Sequence, residues 1–295
     1  MRRIRVGRPD DGPYALGLDA AGDVWATLVH SGRLVRVGGG VVDLDAPGSR
    51  PSRMATTPDG SLWCTRTGDH RVDRLHDGTW HGVDLGPGIG PYDITAGPDG
   101  AAWLTAIEAE AVGRIDPVTE QVTLVPLPEP GMPAMITTGP DGALWCTLNR
   151  SGALARIDPA DGSVTTRRLP DEGCGPVGIA ADAGGLWFVE ILAGRIGHLD
   201  VEGRLTEHDL PARDAKPHAI VATDRGCWAT LWGGSALAHV SPAGRVTVHD
   251  VLAPDDHPHG LLVRGAELWV ACDSGDLVIL NQDQMVAGNE PRVSR

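Results

Sequence analysis

The chain has 295 residues, of which 22% are charged and 41% are hydrophobic, and its net charge is −14. The acidic balance argues against a general binder of nucleic acids or of anionic membranes, because both need a basic surface. A chain of this length can bury a large core, and its 40 glycines and 23 prolines predict many turns.

The N-terminal residues predict neither a signal peptide nor a membrane span. The basic start, Met1 to Arg5, is followed by Val6-Gly7-Arg8-Pro9 rather than by an apolar run. The cysteines are odd in number and show no CxxC spacing, which favours small, reduced core residues in a cytoplasmic protein over a disulfide framework or a zinc site. They are Cys64, Cys146, Cys174, Cys227 and Cys272.

In chain order, a short strand predicted over Arg3 to Val6 is followed by seven repeats of about 41 residues. Each repeat opens with a proline and carries a tryptophan 11 or 12 residues later. The prolines are Pro13, Pro51, Pro91, Pro133, Pro176, Pro217 and Pro258, and the tryptophans are Trp25, Trp63, Trp103, Trp145, Trp187, Trp228 and Trp269. The regular spacing predicts one structural unit per repeat.

The repeat over residues 133–170 indicates what that unit contains. An apolar run from Pro133 ends at the turn signal Asp141-Gly142, a second run surrounds Trp145, and two more runs follow further turns. Four short strands per repeat are typical of a β-propeller blade, whereas a β-sandwich lacks such a repeat and a β-helix has a shorter one. We therefore predict an all-β fold, a seven-bladed β-propeller with four-stranded blades, as a single domain over residues 1–295.

The last repeat lacks a fourth strand of its own. Its third strand is predicted over Asp276 to Leu280, and a polar tail follows. We expect the N-terminal strand to supply the missing edge and close the ring, because an open edge would expose unpaired backbone groups.

The repeats can be compared at the residue after each proline, which begins the innermost strand near one mouth of the central channel. From first to last these residues are Tyr14, Ser52, Tyr92, Ala134, Val177, His218 and His259. Both tyrosines of the chain occur here, with two of its eleven histidines. A purely structural position would be small or apolar in every repeat, so we predict a functional site at this mouth. The alternative is that a wet mouth tolerates polar residues.

Counting outwards from the hairpin turns adds two partners to this site. In the seventh repeat the turn lies at 265–266, which places His259 opposite Asp273 on the neighbouring strand. The same count places His218 opposite Trp232. Because repeats six, seven and one are neighbours in a closed ring, these four side chains and Tyr14 should gather in one sector of the mouth.

His257 lies two residues before His259, so in an extended chain both imidazoles point the same way. His218, His257, His259 and Asp273 could supply up to four metal ligands, and three histidines with a carboxylate suit zinc, manganese or iron better than magnesium. The alternative is that His257 is a solvated loop residue.

Other titratable residues carry weaker predictions. Glu190 is a further channel carboxylate, a member of a buried salt bridge or a surface residue. The chain has no GxSxG motif, no phosphate-binding loop and no GxGxxG before a helix, which argues against serine hydrolases and nucleotide-binding enzymes. The remaining histidines fall at turns or on outer strands and are expected on the surface: His30, His70, His76, His81, His198, His208, His239 and His249.

With these residues, the chain resembles the streptogramin B lyases over essentially its whole length. Pro-His-Ala-Ile at 217–220 and Pro-His-Gly-Leu at 258–261 are similar to two Pro-His-Gly-Ile segments of that family. Leu-Trp-Val-Ala-Cys-Asp at 268–273 is similar to its acidic-ended strand, and the tryptophan strands and Gly-Arg-Ile-Gly at 194–197 also agree.

The resemblance implies a seven-bladed propeller that confers antibiotic resistance by opening cyclic depsipeptides through Mg²⁺-dependent elimination rather than hydrolysis. It implies that His259 is the general base, that His218 is the second active-site histidine, and that Tyr14 is the first-blade tyrosine of the site. Asp273 and His257 stand where the family has glutamates, and the glutamate replaced by His257 is tied to the metal site. The resemblance thus points to Asp273 and His257 as metal-binding residues.

Trp232 and Tyr92 are the candidate substrate-binding residues, since an indole at the mouth suits an aromatic part of a substrate. We expect a small-molecule partner, a cyclic depsipeptide or related ester, and a monomeric protein. Two alternative functions are a metal-dependent lactonase or esterase and a ligand-binding propeller without catalysis. Hydrolysis adds water to the product and ring-opening elimination does not, so the product mass separates the two reactions.

Overall fold

Seven antiparallel sheets of four strands form a β-propeller in the computed structural model, which describes residues 1–44, 46 and 48–287. The predicted fold class and number of blades are therefore confirmed. The predicted single domain extends to residue 295, and residues 288–295 lie outside the described part of the chain.

The strands follow one another from the channel outwards in each blade. The chain begins with β1 (Arg2–Arg5). Blade 1 contains β2 (Pro13–Leu18), β3 (Val24–Leu28), β4 (Arg33–Arg36) and β5 (Val41–Asp43). Blade 2 contains β6 (Pro51–Thr56), β7 (Leu62–Arg66), β8 (Arg71–His76) and β9 (Thr79–Asp84). Blade 3 contains β10 (Pro91–Ala96), β11 (Ala102–Ala106), β12 (Ala111–Ile115) and β13 (Val122–Pro126).

The remaining blades repeat this order. Blade 4 contains β14 (Pro133–Thr138), β15 (Leu144–Leu148), β16 (Ala153–Ile157) and β17 (Val164–Arg168). Blade 5 contains β18 (Pro176–Asp182), β19 (Gly185–Glu190), β20 (Arg195–Asp200) and β21 (Leu205–Asp209). Blade 6 contains β22 (Pro217–Thr223), β23 (Gly226–Leu231), β24 (Ala236–Val240) and β25 (Val246–His249). Blade 7 contains β26 (Pro258–Arg264), β27 (Glu267–Cys272) and β28 (Asp276–Asn281).

The N-terminal strand closes the ring, as predicted. β1 pairs antiparallel with β28, with Arg2 opposite Ile279 and Arg5 opposite Asp276. Blade 7 therefore takes its outermost strand from the start of the chain. A short helix α1 (Gln282–Ala287) follows β28, and single 3-10 turns occur at Pro9–Asp11 and Trp232–Gly234. None of the helices among the described residues has the length and hydrophobicity needed to cross a membrane.

The apolar core lies between neighbouring blades. The repeated tryptophans lie on the second strands, and Trp63, Trp103 and Trp228 are almost fully buried. Trp228 of blade 6, for example, shares a cluster with Leu268 and Val270 of blade 7. The five cysteines are buried and free, as predicted, and burial raises the pKa of every thiol. Because the sheets pack face to face in a ring, the first strand of each blade lines the central channel.

A left-handed residue precedes the proline of every blade. These seven residues have φ between 39° and 64°. A non-glycine residue in this left-handed region carries about 1 kcal/mol of backbone strain. The packing of the closed ring must therefore hold the turn in this conformation. The turn delivers each following side chain to an equivalent place at the mouth. The seven residues are Gly12, Arg50, Gly90, Met132, Gly175, Lys216 and His257.

Each innermost strand also contains a bulge just after its mouth residue, where the register with the second strand shifts. In five blades a buried threonine of the second strand accepts the amide N–H of the bulged residue and donates to the carbonyl of the next blade's mouth residue. Thr230 in this way accepts from the Ala219 amide at 2.9 Å and donates to the His259 carbonyl at 2.9 Å. The other four are Thr27, Thr65, Thr105 and Thr147.

Blades 5 and 7 lack this threonine, and their bulged residues are glycines. A Cβ atom on Gly178 would lie 2.4 Å from the His218 carbonyl oxygen, and one on Gly260 would lie 2.5 Å from the Tyr14 carbonyl oxygen. The glycines therefore allow the next blade to approach closely where His218 and Tyr14 begin.

The prediction that eight histidines lie on the surface is wrong for His239, which is buried; His30 and His81 are exposed, and the other five are partly exposed. His198 and His239 pair with the repeated tryptophan of the adjacent strand, at the position that arginine occupies in blades 1 to 4. The ring of His239 lies 4.6 Å from that of Trp228 and is buried. Packing against the Trp228 indole thus buries the His239 imidazole, which was expected on the surface.

Candidate active site at one mouth of the propeller

Tyr14 is the centre of a cluster formed by side chains of blades 1, 3, 6 and 7. Its hydroxyl lies 2.5 Å from the Tyr92 hydroxyl and 3.2 Å from Nε2 of His218. Its ring lies 4.8 Å from the ring of His259, and the two histidine rings meet edge to face at 5.2 Å. The structure therefore brings together the four aromatic mouth residues that stood out when the seven repeats were compared.

Both phenols of the cluster are buried enough to stay protonated. Burial raises the pKa of Tyr14 well above its usual value, and the neighbouring Tyr92 hydroxyl adds to this effect. Burial also raises the pKa of Tyr92. At neutral pH each hydroxyl thus carries a proton that it can donate.

His259 and Asp273 form an imidazole–carboxylate pair. Nε2 of His259 lies 3.1 Å from Oδ1 and 3.2 Å from Oδ2 of Asp273. Burial alone would raise the pKa of Asp273, but the hydrogen bond and the charge of His259 hold it below its usual value. Asp273 is therefore ionised at neutral pH.

His218 is buried, and its surroundings disfavour a charge on its ring. Burial lowers the pKa of His218 well below its usual value, and the neighbouring His259 and Arg53 lower it further. Nδ1 of His218 and Nδ1 of His259 are both buried and have no hydrogen-bond partner among the described residues.

Counting from the hairpin turn gave the wrong backbone register around His259. Pro258 pairs with Cys272, and a bulge follows between Pro258 and Leu261. The side chains of His259 and Asp273 meet nevertheless, because the bulge turns His259 towards the end of the second strand.

Trp232 lies in the sector of the mouth that contains His218 and His259. Its partners differ from those predicted by counting residues from the hairpin turn. Its amide donates to the Lys216 carbonyl at 3.2 Å, so the predicted pairing of Trp232 with His218 is wrong for the same reason. Its indole lies 5.9 Å from the ring of His257 and 6.2 Å from that of His259. The Lys216 ammonium group lies over the indole at 4.9 Å.

His257 and Asp273 do not match a magnesium site in this arrangement. His257 has a φ of 39° rather than the extended backbone that the prediction assumed. Nδ1 of His257 lies 3.3 Å from the Trp232 carbonyl, and Asp273 is paired with His259. No group of three or more His, Cys, Asp or Glu side chains among the described residues is placed to hold a metal ion. Mg²⁺ prefers several oxygen ligands.

Glu190 belongs to a buried salt bridge, one of its three predicted alternatives. Its Oε2 accepts from Nε of Arg195 at 2.8 Å, and its side chain is fully buried. Burial, together with the nearby Glu207 carboxylate, raises the pKa of Glu190 to about 7.

Comparison of the seven repeats at the mouth residue missed an ion pair. Its two residues each directly follow the mouth residue of an innermost strand. Nε of Arg53 donates to Oδ1 of Asp93 at 3.2 Å, and the two side chains are 17% and 7% exposed. The sequence could have revealed this pair, because only blades 2 and 3 carry a charged residue at the second position after the proline. The other blades have Ala15, Met135, Gly178, Ala219 and Gly260 there.

Comparisons with known proteins agree with this architecture. The chain matches the model of the Virginiamycin B lyase family over residues 1–280. It is 28% identical to selenomethionine-substituted virginiamycin B lyase from Staphylococcus aureus, with a TM-score of 0.87 over 94% of this chain and 97% of that chain. It is also 28% identical to a catalytically inactive histidine-to-alanine variant of that lyase with quinupristin, with a TM-score of 0.88 over 95% of this chain and 98% of that chain.

More distant structures show the fold alone. Hydrazine synthase from Kuenenia stuttgartiensis has a TM-score of 0.75 at 15% identity, over 94% of this chain and 97% of that chain. A search of curated proteins found no match. The family model, by contrast, spans nearly all of the seven blades and every residue of the cluster around Tyr14. The chain belongs to the virginiamycin B lyase family.

Proposed function

We propose that this protein is a lyase that opens a cyclic depsipeptide at its ester bond by β-elimination, with His259 as the general base. The convergence of Tyr14, His218, His259 and Asp273 at one mouth carries the proposal. Membership of the virginiamycin B lyase family supports the reaction class, and quinupristin in the structure of a relative supports a small-molecule substrate. The inactivity of that relative's histidine-to-alanine variant supports a histidine in the reaction.

The reaction needs a base that removes a weakly acidic proton from the carbon next to a carbonyl group. A neutral imidazole with a pKa near the working pH is suited to this step. The ionised Asp273 stabilises the imidazolium that His259 becomes. The C–H electrons form a carbon–carbon double bond, the bond from the next carbon to the ester oxygen breaks, and the carboxylate leaves. No water is consumed.

Negative charge develops on the carbonyl oxygen while the proton is removed. Tyr14, which is protonated at neutral pH, and the neutral His218 are the donors nearest to His259. A preorganised donor at such an oxygen is typically worth about 10²- to 10³-fold in rate. The Trp232 indole and Tyr92 would contact the rest of the substrate.

The magnesium requirement that the resemblance implies stays a prediction. None of the steps above is assigned to a metal ion, because the placement of His257 and Asp273 does not match an oxygen-rich magnesium site. The monomeric state likewise stays a prediction, which light scattering on a sizing column would test.

The activity assay compares the unmodified protein with His259→Ala and His81→Ala. Each protein is incubated with quinupristin in Mg²⁺, in Mn²⁺ or Zn²⁺, and with a chelator, and the products are analysed by liquid chromatography and mass spectrometry. His81 is exposed on the outermost strand of blade 2, so its variant controls for the loss of an imidazole far from the mouth.

We expect a product of unchanged mass from the unmodified protein and from His81→Ala, and none from His259→Ala. A product heavier by one water would show that the protein is a hydrolase and not a lyase. No product in any metal would contradict a lyase acting on this substrate. Turnover that is unaffected by the chelator would contradict the predicted magnesium requirement.

A further inference from the structure

The ion pair between Arg53 and Asp93 has no part in the steps above, although Asp93 directly follows Tyr92 in the chain and Arg53 directly follows the mouth residue of blade 2. Tyr14 and Tyr92 belong to blades 1 and 3, and their hydroxyls meet at 2.5 Å on the channel side of blade 2. The mouth residue of blade 2 is the small Ser52, and Arg53 follows it directly. Arg53 and Asp93 thus directly follow the mouth residues of blades 2 and 3, and their ion pair joins the blade between the two tyrosines to the blade that carries Tyr92.

Bonds to three blades hold this ion pair. The Arg53 amide donates to the Thr65 hydroxyl at 3.0 Å, and that hydroxyl donates to the Tyr92 carbonyl at 2.7 Å. The second carboxylate oxygen of Asp93 accepts from the Ile136 amide of blade 4 at 2.8 Å. Removing two charges from water costs free energy that an ion pair often does not recover, so the pair is weak evidence of a purely stabilising role.

The charge of Arg53 acts on the phenols and on His218. Burial dominates the raised pKa of Tyr14 and of Tyr92, Arg53 opposes that rise in both, and its partner Asp93 adds to it. Burial also dominates the lowered pKa of His218, and Arg53 lowers it further. The charged and titratable groups that face Tyr14 are Tyr92 and Asp93 from β10, Arg53 from β6, His218 from β22 and His259 from β26.

We propose that Arg53 is a positioning residue whose guanidinium group, fixed by Asp93, polarises the Tyr14–Tyr92 hydroxyl pair, so that Tyr14 donates a stronger hydrogen bond to the developing negative charge of the substrate. The catalytic consequence rests on the function proposed above. The effect on the two phenols does not depend on it.

The chain offers a direct measurement, because Tyr14 and Tyr92 are its only tyrosines. The ultraviolet absorbance change on phenol ionisation therefore reports these two residues alone. The variants are Arg53→Met, Arg53→Gln, which keeps a donor towards Asp93, and Arg53→Lys, which keeps the charge. The matched control is Arg66→Met, which removes another arginine of blade 2 from a buried ion pair with Asp73 at 3.2 Å.

We expect Arg53→Met and Arg53→Gln to shift the ionisation of the tyrosines to higher pH, and Arg53→Lys and Arg66→Met to leave it near that of the unmodified protein. Should the protein unfold before the phenols ionise, the intensity ratio of the tyrosine Raman doublet at neutral pH gives the same comparison, because it reports phenol hydrogen bonding. A tyrosine signal unchanged in the folded Arg53→Met or Arg53→Gln protein would overturn the proposal.

Activity provides the second readout. We expect kcat on quinupristin to fall about ten-fold in Arg53→Gln with little change in KM, and to recover in Arg53→Lys, since a charge acting through Tyr14 is worth less than the donor itself. If the unmodified protein has no lyase activity, the proposed function fails while the tyrosine signal still tests Arg53. A shifted tyrosine signal with unchanged kcat would overturn the catalytic consequence alone.

Discussion

The hydroxyl groups of Tyr14 and Tyr92 lie 2.5 Å apart, although a whole blade separates the two residues in the ring. The contact spans the channel side of blade 2, whose mouth residue Ser52 is too small to intervene. One oxygen of this pair also lies 3.2 Å from Nε2 of His218. Tyr14 thus links the polar side of the mouth formed by blades 2 and 3 to the histidines of blades 6 and 7.

This link predicts unequal effects of removing the two hydroxyls. Tyr14→Phe loses the hydroxyl that lies 3.2 Å from Nε2 of His218, so we expect kcat on quinupristin to fall about 10²-fold, as for other lost donors at a developing negative charge. Tyr92→Phe should lose less, because its hydroxyl acts through Tyr14. Steady-state kinetics, with circular dichroism to verify folding, would check this. Equal losses in the two variants would contradict the central role of Tyr14.

Gly260 should not tolerate a side chain. A Cβ atom there would lie 2.5 Å from the Tyr14 carbonyl oxygen, so Gly260→Ala must separate blades 7 and 1. We expect a loss of about 1–3 kcal/mol in the free energy of unfolding, as is typical of overpacking, together with reduced turnover. Gly40→Ala is the control, since a Cβ atom at Gly40 meets no atom within 4 Å. Denaturant unfolding that finds the two variants equally stable would refute the close approach.

Replacing Thr230 should lower both the free energy of unfolding and kcat, whereas replacing Thr147 should lower only the free energy of unfolding. Both hydroxyls accept a buried amide N–H and donate to the next blade, Thr230 to the His259 carbonyl and Thr147 to the Val177 carbonyl. Replacing either by valine leaves buried backbone groups unpaired, at a cost of about 1–3 kcal/mol. We expect similar losses of unfolding free energy, with lower kcat only in Thr230→Val. A matching fall in kcat in Thr147→Val would show that the effect is not specific to His259.

Glu190 should make the protein less stable as the pH rises. Its pKa is about 7 in the folded protein against 4.5 for an ordinary glutamate, so the folded state holds a proton that the unfolded state has lost. Stability is therefore unaffected below pH 4.5 and falls between about pH 4.5 and pH 7, by on the order of 2 kcal/mol. Glu190→Gln should weaken this fall, and the exposed Glu129→Gln should not. Melting temperatures of the three proteins from pH 4.5 to pH 8 that run parallel would exclude this role.

The sequence alone was sufficient to predict the propeller, the number of blades and the closure of the ring by the N-terminal strand. Each blade depends on turns, strand pairing and burial of a tryptophan within about 41 residues, so its pattern is local and recurs seven times. The same repeat makes positions comparable, which is why Tyr14, Tyr92, His218 and His259 stood out.

Only the tertiary structure decided how those residues meet. The bulges shift the register by which His218 would face Trp232, and the left-handed turn at His257 replaces the extended backbone that the prediction for His257 and His259 assumed. The Arg53–Asp93 pair and the Tyr14–Tyr92 contact join different blades, so no pattern within one repeat specifies them. Local hydrogen bonding and hydrophobic periodicity determine a blade, whereas distances across the channel depend on how closely the closed ring packs one blade against the next.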